Sequence, residues 1–160
     1  MERHIFSILA GSLVFALVFG CNMAMAEADD QLQGMEISVA TAELAVGGNP
    51  IHLYGVHFPP ESGLCGEQAG DCRAQALMAL EEWISDRSEV RCQVLAVAAS
   101  GTHFVECRQG EDEIGGWLVA NGLALADRQV SRRYIREEQA ARRAGVGLWE
   151  RFGTQFSMAR

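Results

Sequence analysis

The chain has 160 residues, carries 13 arginines and no lysine against 21 acidic residues for a net charge of −8, and is 49% hydrophobic. That length suits one domain with its own core and excludes two comfortable ones. The acidic balance excludes a phosphate-binding surface except where the arginines gather on one face.

Residues 1–26, MERHIFSILAGSLVFALVFGCNMAMA, join a charged start at Arg3 to an apolar run from Ile5 to about Phe19 and the small residues Ala24-Met25-Ala26. This is the pattern of an export signal cleaved after Ala26, and its apolar run is too short for a membrane span. The expected destination is the periplasm or the exterior. A minority reading takes Val18-Phe19-Gly20-Cys21 as a bacterial lipoprotein box with Cys21 lipidated, a pattern that Phe19 fits poorly. Cleavage removes Glu2 and Arg3 together, so the charge stays at −8.

Residues 27–38 read as a disordered or frayed lead-in, at whose end MEISVA begins the first of three short alternating segments. ELAV and PIHLYGV are the others, separated by turn-formers such as Gly47-Gly48-Asn49. Residues 58–72 are a loop with Pro, Gly and Ser. From Arg73 to about Asp86, Leu77, Leu80 and Ile84 recur at helical spacing with Glu81 and Glu82 outward, which predicts an amphipathic helix. VRCQVLAVA and THFVECR are β-branched and alternating around AASG and predict a hairpin. EDEIGGWLVANG predicts a short helix stopped at Asn121-Gly122, LALA a brief extended piece, and Ser131 a cap for a last helix ended by Gly145. Leu148 and Trp149 then return to the core. Tyr54, Trp83, Trp117 and Trp149 each fall on an apolar face and read as packing residues, not base-stacking platforms.

Beyond Cys21 there are four cysteines, an even number in an exported chain, which points to two disulfides. A two-residue turn at Ala99-Ser100 pairs positions whose numbers sum to 199. That places Cys92 opposite Cys107, within disulfide reach, and leaves Cys65 to pair with Cys72. A zinc site is disfavoured because no pair has the tight CxxC spacing. The clustered Arg128, Arg132, Arg133, Arg136, Arg142 and Arg143 are interrupted by Glu137 and Glu138, so they read as a solvated helix of mixed charge.

Five short strands with helices outside the sheet suit a small, partly open barrel of the OB kind, although periodicity alone does not choose it over other α+β folds. Here the sequence resembles the thermonuclease, or staphylococcal-nuclease-like, family from about Val39 to Phe152. The likeness rests on V46-G-G-N-P-I-H-L-Y-G-V, similar to V-x-G-x-x-I-R-L-x-G-I, and on the hairpin end V105-E-C. It rests also on E113-I-G-G-W-L-V-A-N-G-L-A, similar to D-L-x-x-W-L-V-x-x-G-L-A, and on A144-G-V-G-L-W. The resemblance implies an α+β fold, a five-stranded OB barrel with three helices over 39–152, followed by a tail at 153–160. It also implies hydrolysis of nucleic-acid phosphodiesters, typically with Ca²⁺.

Such chemistry needs a carboxylate for the attacking water, arginines on the phosphoryl oxygens and acidic ligands for a hard cation. The resembled pattern supplies these from an Asp-Gly-Asp-Thr-like turn, an arginine on the third strand, an Asp-x-Pro-Glu and a Gly-Arg in the hairpin. Here Ala40 and Ala42 stand in the acidic turn, His52 at the first arginine, His57 at the aspartate, Pro60 at the glutamate and Thr102 at the second arginine. Glu61 survives only if the Pro59-Pro60 pair shifts the loop by one. Losing one preorganised electrostatic element costs roughly 10² to 10³ in rate, and several are lost here.

The expectation is therefore an exported binding or scaffold module, with an unknown envelope protein or ligand as partner, the calcium ligands not retained and nucleic acid disfavoured by the acidic charge. The alternative is a weak metal-dependent nuclease that uses Glu61 and the arginines of the last helix. A less favoured arrangement has His52, His57 and Glu61 holding zinc or a similar metal, with His103 on the opposite strand face and outside it.

Overall fold

A computed structural model describes residues 31–150 apart from 39–40, 42, 62, 66–67 and 86–88. The signal segment, Cys21, the tail, Ala40 and Ala42 lie outside the described residues. The elements in chain order are β1 (Gln31–Gln33), β2 (Met35–Ser38), β3 (Glu43–Val46), β4 (Asn49–Leu53), β5 (Val56–His57), β6 (Gly63–Cys65) and β7 (Gln68–Gly70). Then come α1 (Cys72–Ser85), β8 (Val90–Val97), β9 (His103–Gln109), β10 (Asp112–Glu113), α2 (Ile114–Ala120), β11 (Leu125–Ala126), α3 (Ile135–Ala144) and a 3₁₀ turn, Gly147–Trp149.

The main sheet runs β1-β8-β9-β4-β3-β2, antiparallel except where β4 lies parallel to β9. Its two ends, β1 and β2, are consecutive in sequence and joined through Gly34, whose φ of +77° lets the chain turn from one partner to the other. The sheet thus curls back on itself as the five-stranded OB plan, with 31–38 serving as one bent strand. For 31–38 this replaces the expected frayed lead-in, whose first residues, 27–30, lie outside the described residues. Gln31 and Gln33 are polar and carry no strand signal, but their backbone pairs with Gln93 and Arg91, while Leu32, Met35 and Ile37 pack on the core.

The β8–β9 hairpin brings Cys92 opposite Cys107, with Cα atoms 4.0 Å apart and the disulfide formed. The turn differs from the expected two-residue one. Ala98 and Thr102 share a backbone hydrogen bond, leaving Ala99, Ser100 and Gly101 as the loop, and Gly101 adopts φ +85°. An irregularity between Val94 and Ala96 absorbs the added residue, so the register at the cysteines is unchanged. The second disulfide, Cys65–Cys72, staples the loop to the start of α1. That loop also holds the small β6–β7 hairpin, which its glycines concealed from periodicity.

Helix α1 starts where Asp71 Oδ1 accepts the Ala74 N–H at 2.9 Å, and buries Leu77 and Leu80 completely. Leu44, Val46, Ile51, Leu53, Val105, Ile114 and Leu118 complete the interior. Burying each such side chain contributes about 1.5–3 kcal/mol before entropy is counted. Trp83 and Trp117 stack at 4.6 Å between α1 and α2, as packing residues. Helix α3 begins later than Ser131, whose Oγ instead caps the preceding turn by accepting the Arg133 N–H. It ends, as expected, at left-handed Gly145.

Candidate functional site

His52 lies on β4 between buried Ile51 and Leu53, so the pleat turns it outward. The parallel register sets it beside Phe104 of β9, and the two rings stack at 5.6 Å. Residue 103 pairs with Ile51, which puts His103 on the other face, as the strand period requires. After a tight turn through Tyr54-Gly55, His57 continues on β5, paired with Leu125 of β11 and exposed. Phe58 is half-buried, Pro59 buried, and Pro60 and Glu61 point to solvent. Thr102 is held at the hairpin by Ser100, Oγ to Oγ1 at 3.0 Å.

The two histidines open onto one cleft of about 270 Å³. Its floor is apolar, formed by Leu44, Ile51, Leu53 and Leu77, each no more than 5% exposed. Arg73, the second residue of α1, completes the rim with its guanidinium 5.7 Å from the centre of the Phe58 ring. Its Nε is buried and has no hydrogen-bond partner. Sequence reasoning passed over Arg73 as a helix-start residue. The available signal was its place directly after Cys72, whose disulfide anchors the helix start, with an aromatic following His57.

The structure gathers His52, His57 and Arg73 and leaves Pro60, Glu61 and Thr102 off the cleft lining. Among the described residues no three His, Cys, Asp or Glu side chains come together to hold a metal ion, so the His52–His57–Glu61 metal arrangement does not form. Calcium takes six to eight oxygen ligands. A cleft with imidazoles, a guanidinium and apolar side chains does not fit it.

The arginines around α3 are arranged differently. Arg133 grips Glu106 with two hydrogen bonds of 2.7 and 2.9 Å and reaches Glu113 through Nε at 3.0 Å. Arg108 adds a 3.4 Å contact to Glu106. The hydroxyl of buried Tyr134 donates to Glu113. Burial, then this hydrogen bond and the Glu113 charge, push the phenol well above its ordinary pKa, against a smaller lowering by Arg133. Buried Glu138 accepts from Arg128 at 2.8 Å and Arg142 at 3.1 Å, and Arg142 also stacks on Trp149 at 4.1 Å. The mixed-charge reading of this segment therefore holds, but with Glu138 turned inward.

No family model matches the chain, and no curated protein matches it. Among solved structures it is similar to the extended Tudor domain of Drosophila melanogaster Tudor-SN (p100), at 24% identity and a TM-score of 0.50, covering 63% of this chain and 47% of that one. The likeness shows the fold, a staphylococcal-nuclease-like OB barrel with helices. Less than half of the matched structure is spanned. No helix among the described residues is long and apolar enough to cross a membrane.

Proposed function

We propose that the chain is an exported, thermonuclease-related module that binds a partner or ligand in the cell envelope and has lost phosphodiester cleavage. The supporting observation is the cleft itself. Where phosphoryl transfer needs arginine and carboxylate, it offers His52 and His57 over an apolar floor. A barrel can keep its core while its site is put to another use. Export draws on the leader-like segment 1–26, and the two disulfides fit an oxidising compartment. The likeness to the extended Tudor domain supports the barrel scaffold alone.

A residual metal-dependent nuclease is the rival reading. One observation favours it: Arg73 supplies a cation on the cleft rim. The arginines in and before α3 are less suitable, because Arg128, Arg133 and Arg142 are engaged by carboxylates.

The test is cleavage of single- and double-stranded DNA by the disulfide-intact protein with calcium, with zinc and with chelator, beside a Glu61→Ala control. No cation-dependent cleavage above that control is expected. Cleavage that needs a cation and is lost in Glu61→Ala would replace the binding reading with the nuclease.

A further inference from the structure

Resting on the reading of the cleft as a ligand site, we propose that it takes a small monocarboxylate with an apolar body, an aryl or alkyl acid. Where Leu44, Ile51 and Leu53 edge the cleft, a small apolar group can leave water, although somewhat more than half of the cleft surface is polar. The rim supplies the polar end. Arg73 is always charged, and its guanidinium carbon lies 5.7 Å from the centre of the Phe58 ring. The Nε proton has no acceptor in the protein, an uncommon state for a buried donor; it is closed to solvent, so a carboxylate takes its charge-assisted bond from the terminal N–H groups and reaches Nε only if the rim opens. His52 and His57 can each donate one further N–H.

Charge count decides between anion classes. One fixed cation matches one negative charge. A phosphate monoester carries about −1.5 to −2 at pH 7, and its excess would face a chain of net −8 with no second fixed cation on the cleft lining. A carboxylate leaves no such excess.

The experiment titrates the disulfide-intact protein with benzoate, with the uncharged analogue benzamide and with inorganic phosphate, following the ring NMR signals of His52 and His57. Benzoate is expected to shift both rings saturably and to bind at least about tenfold more tightly than benzamide or phosphate. Arg73→Gln should weaken benzoate about tenfold and leave benzamide unchanged, and Arg73→Lys should restore part of the loss. Thermal unfolding of both variants checks that the barrel is intact, and the ring shifts in the unaltered protein stand even if a variant fails to fold. Equal binding of benzoate and benzamide, tighter binding of phosphate, or unmoved His52 and His57 rings would each overturn the proposal. Those results leave the non-catalytic reading in place, since DNA cleavage alone decides it.

Discussion

On the α3 side of the barrel Arg128, Arg133 and Arg142 each end on a carboxylate within 3.1 Å, whereas in the cleft Arg73 meets a phenylalanine ring and leaves an N–H unanswered. Both regions sit on the same acidic chain. The difference lies in what each guanidinium faces. Where two protein groups satisfy one another, their interaction goes into holding the fold. A charge kept half out of water without a protein acceptor is available to something else.

The sharpest way to probe this contrast is Glu138→Ala. The carboxylate is 3% exposed and serves two arginines, but these are 53% and 48% exposed and can turn to water. The expected loss is therefore about 2 kcal/mol, below the range for a fully buried pair, read from urea unfolding, with benzoate affinity unchanged. Arg133→Ala should follow at about 1–2 kcal/mol, because Glu106 and Glu113 are left with the longer Arg108 contacts and, for Glu113, the Tyr134 hydroxyl. A loss under about 0.5 kcal/mol in both variants would mean that the paired side contributes as little as ordinary surface ion pairs do.

A smaller effect depends on pH. The Tyr134 phenol is raised in the folded protein, so the folded state holds its proton more tightly than the unfolded chain does. The stability this gives is present below about pH 10, the unfolded phenol's range, and declines as pH rises through the folded value. Urea midpoints measured from pH 9 to 11 should fall more steeply in the unaltered protein than in Tyr134→Phe, and parallel slopes would remove Tyr134 from the network. The smallest expected change is the stability of Arg73→Gln, within about 0.5 kcal/mol of the original, since only a cation–π contact is lost. A loss of 2 kcal/mol there would make Arg73 a structural residue and erase the contrast.

Most of the barrel was legible because its signals are local. The alternation in VRCQVLAVA and THFVECR set the hairpin, and the Cys92–Cys107 register survived a misjudged turn because two one-residue irregularities offset each other. Leu77 and Leu80 identified the buried face of α1, and Gly145 its counterpart's end at α3. The strand at Gln31–Gln33 was not legible, because backbone pairing asks nothing of side chains as polar as glutamine. The site was half legible. His52 and His57 declared themselves by position, but Arg73 reaches the cleft only through the way α1 is laid across the sheet. The sequence marked that only through the place of Arg73 directly after Cys72. The ion-pair partners Glu106 and Glu113 were likewise invisible to a reading that weighed the arginines against Glu137 and Glu138 alone.

The bent strand at 31–38 bears on how the molecule assembles. Its first half pairs with residues 91–93, some sixty positions downstream, while its second half pairs with β3 a few residues away. The nearer pairing can form early, but the farther one must wait for the β8–β9 hairpin and carries a long loop-closure cost. Barrel closure is then expected as a late kinetic step. A chain shortened past Gln33 would fold its hairpins and helices around an open seam, with the outer edge of β8 exposed to strand pairing between molecules.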